Sequence, residues 1–134
     1  MKGIELLEQN PESAKLICSY YLEIMLESLK DEGLPEDFKE SIREQGIDNE
    51  KISAIIDGNP RNLFDFFDDQ ELFIDINISI DKTFSYSIIE ALTSVIKPTK
   101  TFSSRKDAEK DAINKAIAKL ESTLTNSVSD KENS

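Results

Sequence analysis

Five carboxylates, Asp65, Asp68, Asp69, Glu71 and Asp75, form the densest group of side chains in this chain that could do chemistry. Oxygen-only ligands of this kind suit Mg²⁺ or Ca²⁺, and paired carboxylates can also run acid–base hydrolysis. Their spacing is not that of a calcium loop, however, and no glycine marks the sharp turn such a loop needs. The same acids interleave with Phe64, Phe66, Phe67 and Phe73, which makes a second chemistry available: an aromatic patch rimmed by acids that grips a partner protein. On this reading Asp65, Phe67, Asp68, Asp69 and Glu71 are the partner-binding residues. Most of the aromatics belong to the core, with one or two left exposed, because adjacent Phe66 and Phe67 cannot both enter one narrow helical stripe. No metal and no cofactor are expected.

Elimination points the same way. The chain has no histidine, which removes the commonest general base, the usual metal ligand and every Ser-His or Cys-His arrangement. Gly3, Gly33, Gly46 and Gly58 are scattered, so no phosphate-cradling loop exists. The single cysteine, Cys18, lies in an apolar helical pattern, where a free thiol behaves as a small hydrophobe. An enzyme is therefore not expected.

The net charge of −11 is unevenly placed: residues 1 to 81 hold 7 Lys/Arg and 20 Asp/Glu, residues 82 to 134 hold 9 and 7. An acidic front of this kind repels nucleic acid and favours a protein partner with a basic surface. With no charged-then-apolar leader and no apolar run near the ~18 residues of a membrane span, a cytoplasmic location in a bacterial or phage-infected cell is expected, and no membrane contact. Asn77-Ile78-Ser79 fits a glycosylation sequon that such a compartment would leave unused.

The acids must be positioned by the stretch from Leu72 to Glu90. Leu72, Ile74, Ile76, Ile78 and Ile80 alternate with Phe73, Asp75, Asn77 and Ser79, a period of two that reads as a strand with one buried face. Phe84, Tyr86 and Ile88 continue the alternation, so the two runs pair as a hairpin. A two-residue turn at Asp81-Lys82 would set apolar residues against polar ones. Matching faces instead requires Ile80 against Phe84, Ile78 against Tyr86 and Ile76 against Ile88, with Asp81-Lys82-Thr83 as a three-residue loop or a wider loop of the same parity.

Before the hairpin the chain is helical. A short helix spans Gly3 to Gln9. Asn10-Pro11-Glu12 starts a second, with Asn as cap and Pro at the first helical position, and it runs to Leu29 or Lys30 as a central helix contacted on more than one side. Pro35 to Gly46, Asp48 to Gly58 and Asn59-Pro60 onward mark three shorter helices, too short to stand without tertiary contacts. After the hairpin, Ala91 to Lys97 prolongs the second strand or forms a bulge, Pro98-Thr99 turns, and residues 101–103 form a short edge strand. Ser104 with Asp107 three residues on opens a long helix whose stripe is Ala108, Ala112, Ile113, Ala116, Ile117, Leu120 and Leu124.

The order strand, strand, short strand, helix, with Ser104-Arg105-Lys106-Asp107-Ala108-Glu109-Lys110 at the helix start, resembles the end of a double-stranded-RNA-binding domain. In that family a helix opening Ser-Lys-Lys-x-Ala-Lys sets its bases on phosphates across the groove. The resemblance implies α-β-β-β-α packing and makes Arg105 and Lys106 phosphate contacts; the family's third basic position is here Glu109. Arg105, Lys106 and Lys110 are thus the alternative, nucleic-acid-binding set, with Asp107, Glu109 and Asp111 interleaved against them. The same box, Phe102-x-Ser-Arg-x-x-Ala with Ala112-Ile113-x-x-Ala116, also resembles the ending of small acidic proteins carried by phages and integrated elements, which implies an accessory or host-modulating role.

The expected build is α+β: residues 1–125 as one domain, with an acidic helical part over 1–68, an antiparallel sheet of two or three strands over 72–103, a C-terminal helix over 104–125, and a disordered tail over 126–134. If helical front and sheet share one core, Ile76→Asp unfolds both together. Two separate thermal transitions in calorimetry would contradict a single domain.

Overall fold

The computed structural model describes residues 2–90, 94–98 and 100–132. Among them are six α-helices and one three-stranded antiparallel sheet, so the fold is α+β. The helices are α1 (Gly3–Gln9), α2 (Pro11–Ser28), α3 (Glu36–Gln45), α4 (Asn49–Gly58), α5 (Phe64–Asp69) and α6 (Arg105–Glu132). The strands are β1 (Leu72–Ile78), β2 (Phe84–Glu90) and β3 (Ser94–Ile96), in the order β1-β2-β3. No helix among the described residues is long and apolar enough to cross a membrane.

The hairpin keeps the parity that its apolar pattern demands, but with a wider loop than three residues. Ile78 faces Phe84, Ile76 faces Tyr86 and Ile74 faces Ile88, which leaves Ser79 to Thr83 as the connection. The expected pairings of Ile80 with Phe84, Ile78 with Tyr86 and Ile76 with Ile88 all fail, the register being shifted by two residues, because polar side chains close the loop earlier. The Ser79 amide donates to the Thr83 carbonyl at 2.9 Å, and the Asp81 carboxylate collects the Ser79 hydroxyl together with the Thr83 amide at 3.2 Å and hydroxyl at 2.7 Å. Those donors hold the Asp81 carboxyl below its ordinary value, the Ser79 hydroxyl first. Ile80 is left wholly exposed at the tip. The left-handed position falls on Lys82, with φ of 67°, so Thr83 escapes a conformation that β-branched residues resist.

The third strand is displaced from its expected place. Residues 94–96, not 101–103, pair with β2, with Ile88 against Ile96 and Ile89 against Val95. Phe102 makes a single antiparallel bridge to Phe84, both hydrogen bonds being 2.8 Å. The chain thus leaves β2 at its end and returns beside its start. The intervening expectations touch residues 91–93 and Thr99, which lie outside the described residues.

Alternation puts Leu72, Ile74, Ile76, Tyr86 and Ile88 on the face towards α6, where Ala108, Ala112, Ile113, Ala116 and Ile117 are all fully buried. Alanines at helical spacing present almost no side-chain bulk, so the helix backbone can lie close to what it packs on. α6 contacts β1 and β2 and also α2 and α4. It does not stop near Leu124: with no Gly or Pro after Pro98, the helix continues to Glu132, and the expected tail is helical up to that residue.

The helical front is only partly buried. In α2 the buried residues are Ser13, Ala14, Ile17 and Leu26; the helix packs on the core as far as Tyr20 and Tyr21, while beyond them Ile24 is exposed and Leu26 is buried outside the core cluster. It is not a central helix along its whole length. In α3 no residue is buried and Phe38 is 50% exposed; Lys39 and Arg43 face Glu23 and Glu27 of α2 across an open hollow. The shorter helix α1 packs on α4 through Leu6 and Leu7, and Gly3 is required there, because a Cβ would sit 2.9 Å from the Ser53 carbonyl oxygen. The Gly3 amide donates to Asp57 Oδ1 at 3.0 Å, and Lys110 Nζ lies 2.9 Å from the same oxygen. Burial pushes the Asp57 carboxyl up, but the bonds from Lys110 and Gly3 outweigh it and leave it below the ordinary value.

Asp48 caps α4 as expected, accepting from the Lys51 amide at 3.1 Å. Asn10 does not cap α2. Its Nδ2 donates back to the Leu6 carbonyl at 2.8 Å, and the start of α2 is capped from across the molecule by Glu121 of α6. Glu121 accepts from the Glu12 amide at 3.2 Å and the Ser13 amide at 2.7 Å, while the Ser13 hydroxyl donates to the Ile117 carbonyl at 3.1 Å. A negative group at a helix N-terminus is favourable through both the free amides and the dipole. Glu121→Ala is expected to lower stability by about 1–2 kcal/mol in urea unfolding, whereas Asn10→Ser, an N-cap of equal preference, gives no gain and loses the bond to the Leu6 carbonyl.

Candidate functional site

The helix α5 reads Phe-Asp-Phe-Phe-Asp-Asp and follows a 3₁₀ turn, Pro60–Leu63, whose leading Pro lacks the amide that a helix start leaves unsatisfied. Both Phe66 and Phe67 are buried, against the expectation that adjacent phenylalanines divide between core and surface. Two elements receive them: α5 lies on β1 on one side, and the Phe66 ring meets the Tyr20 ring of α2 edge-on at 5.3 Å on another. The two phenylalanine rings are themselves edge-on at 5.0 Å. Phe67 is 0% exposed, so its side chain supports the patch from beneath and offers nothing to a partner.

The acids are turned outward. Asp65, Asp68 and Asp69 stand at i, i+3 and i+4 on the exposed side of α5, and Glu71 follows at φ of 62° where the helix ends. Glu71, Phe73 and Asp75 then alternate along the outer side of β1. Phe73 faces Ile89, and Ile89 faces Val95, so an apolar row crosses the outer face of the sheet beside the acids. Phe73 and Val95 of this row are exposed.

Tyr20 completes the face, and no reading of the sequence placed it there. The Tyr20-Tyr21 pair could have signalled it, since one of two adjacent tyrosines must leave the stripe of α2. Tyr21 is the anchored one: its hydroxyl donates to the Asn62 carbonyl at 2.7 Å, and its ring meets Tyr20 edge-on at 5.5 Å. Burial pushes the Tyr21 hydroxyl up to about 12, helped by Tyr20 and Asp65. The Tyr20 hydroxyl is raised by burial and then by Asp69, Asp65 and Asp68. The Asp68 carboxyl is raised as well, by burial first and then by Asp65 and Asp69. Three carboxylates therefore act on one tyrosine, and none of the three has an ion pair among the described residues.

Negative oxygens beside a half-buried aromatic ring are what a lysine or arginine side chain binds, through ion pairs and through the open part of the ring. Among the described residues no three His, Cys, Asp or Glu side chains gather closely enough to hold a metal ion.

The alternative basic residues do not converge. Lys110 is tied to Asp57, the Arg105 guanidinium lies over the Phe84 ring at 5.7 Å, and Lys106 is exposed. Glu109, at the basic position of the resemblance, is 5% exposed and paired with Arg61 at 2.9 Å. It is a structural tie and not a surface group. Known proteins add nothing to this geometry: no family model matches the chain, and no curated protein or solved structure matches it either.

Since burial and like charges raise Asp68, its ionised form detracts from stability at neutral pH, and that cost fades as pH falls through the raised value. Asp68→Asn should accordingly raise stability by about 0.2–0.5 kcal/mol in low salt. In roughly 1 M salt, where screening acts over ~3 Å, the gain should shrink towards zero. A loss of stability in both conditions would mean that Asp68 has a favourable partner.

Proposed function

We propose that the protein is a non-enzymatic interaction module of the phage-accessory or host-modulating kind, which docks a basic partner protein on the face built by Asp65, Asp68, Asp69, Glu71 and Tyr20. The observation that carries this reading is the crowding of Asp65, Asp68 and Asp69 on the exposed side of α5, in no ion pair among the described residues, next to the half-buried Tyr20 ring that packs on Phe66. Such crowding costs the free protein stability, and a cationic partner relieves it. The apolar row of Phe73, Ile89 and Val95 lies alongside and supplies the area that charge alone does not give. A dry centre bordered by charges is the anatomy of a transient protein interface.

The test is capture from lysate of the native host, with the chain tagged after Ser134, nuclease treatment, and washes at low and high salt. A retained protein that survives nuclease, is released by salt, and is lost with the triple variant Asp65→Asn, Asp68→Asn, Asp69→Asn supports the reading. Its affinity should also fall as pH drops, with Asp68 the first of the three to lose charge. Recovery of duplex RNA that disappears with nuclease and with Lys106→Glu would move the interface to α6. Retention by the triple variant equal to that of the unaltered chain would remove the acidic face from consideration.

A further inference from the structure

The two margins of the sheet are unlike. Strand order β1-β2-β3 leaves the three-residue β3 at one margin and the seven-residue β1 at the other. Edge strands are commonly kept short, bulged, or interrupted by Pro or Lys, because their free backbone groups template pairing with another chain. β1 has none of these devices. It reads Leu-Phe-Ile-Asp-Ile-Asn-Ile, pairs with β2 without a bulge, and carries one charge, Asp75.

The hairpin fixes which backbone groups face outward. Ser79 and Thr83 continue its register, and the Ser79 amide donates to the Thr83 carbonyl, so Phe73, Asp75 and Asn77 direct their backbone groups to β2. Phe84 agrees, since its amide and carbonyl turn away from β1 and bond to Phe102. Ile74, Ile76 and Ile78 therefore present their amides and carbonyls at the open margin, and no other backbone group among the described residues bonds to them. Their side chains are incompletely covered as well. Tyr86 and Ile88, opposite Ile76 and Ile74 on the same face, are fully buried, whereas Ile74 and Ile76 are half-buried and Ile78 is 61% exposed. Along β1 burial is complete only at Leu72, next to the end of α5.

A second copy of the same strand fits this margin. In an antiparallel pair centred on Ile76, that residue faces its own counterpart and Ile74 faces Ile78 of the second copy, each pair exchanging two backbone hydrogen bonds. The isoleucines of both copies then form one apolar row on the face towards α6. On the outer face the same register sets Asp75 opposite Asn77 of the second copy, whereas centring on Asp75 would oppose two like charges. Antiparallel pairing also separates the acids of the two α5 helices, because the starts of the two strands lie roughly 25 Å apart along the seam at about 3.4 Å per residue. That exceeds the ~8 Å over which physiological salt screens. A parallel pair would instead stack acid on acid.

We propose that the protein forms a two-fold dimer by antiparallel pairing of its β1 edges about Ile76, giving one continuous sheet with three strands from each copy. The contact is self-complementary and the opposite margin is the short β3, so assembly closes at two copies. The dimer does not depend on the proposed docking face and leaves it open, since the residues of that face lie on α5 and the outer side of the sheet.

The test is sedimentation velocity of the full chain across a concentration series. Edge pairing is a small interface, so reversible dimerisation is expected with a Kd of about 10–100 µM. Ile78→Lys, at an exposed position, should keep the unaltered circular dichroism and Tm and weaken the dimer about tenfold. Asn77→Asp, which sets two carboxylates opposite each other, should weaken it and Asn77→Lys should strengthen it; Gln45→Asp and Gln45→Lys on the exposed side of α3 control for net charge. In amide exchange, Ile74, Ile76 and Ile78 should gain protection as concentration rises, while Phe73, Asp75 and Asn77 are protected throughout. A monomer well above that Kd, growth beyond two copies, association without protection of those three amides, or equal responses to the Asn77 and Gln45 variants would overturn the assignment.

Discussion

Everything else in this molecule leans on the alanine-faced helix α6. Its Ala108, Ala112 and Ala116 bring the backbone close to its neighbours, and close packing of this kind tolerates little error in orientation. Orientation is set by polar ties that leave the helix in different directions. Glu109 reaches Arg61 beside α4, Lys110 reaches Asp57, Asp111 reaches Tyr86 of the sheet, Lys119 reaches Glu90, and Glu121 caps α2. Five residues of one helix thereby register four other parts of the chain. Individually such ties contribute little net energy, but each leaves an unsatisfied charge or donor if the packing slips.

This arrangement decides where charge remains uncompensated. Arg61 and Lys110 are bases that could have neutralised surface acids, and both are committed to carboxylates of the fold. The short pairs on α2 and α3, such as Lys15 with Glu12 and Arg43 with Glu40, use up further cations locally. The acids of α5 are therefore left facing each other and Tyr20. Their exposure follows from a six-residue helix that spends both inward positions on phenylalanine.

The secondary structure was largely legible because period and punctuation are local signals. The alternation from Leu72 to Ile88, the Ser104 cap and the alanine stripe each specify an element without help from distant residues. What could not be read depends on residues far apart in the chain. Nothing near Asn10 shows that Glu121 will take over the cap, and nothing near Thr101 shows that residues 94–96 will reach β2 first. The hairpin loop widened because Asp81 found three donors within itself, a choice that propensity leaves open. The acidic residues of the candidate face were visible in the sequence, whereas Tyr20 was not, since its place depends on how α2 crosses α5. Phe67 was misplaced for the converse reason: a helix packed on two sides buries two adjacent side chains.

The two halves of the chain carry opposite electrostatic characters, and the fold keeps them apart. The acidic crowd sits on α5 and the outer side of β1, while Lys97, Lys100 and Lys115, in no ion pair among the described residues, line a hollow on the flank of α6, which packs on the other face of the sheet. A cation attracted to the first face and an anion attracted to the second meet different fields, although the overall charge is −11. Screening over roughly 8 Å at physiological salt makes the local group, and not the total, decide what each surface attracts. The ties of α6 are what sustain this separation, because they pair the interior charges with each other and leave each surface its own sign.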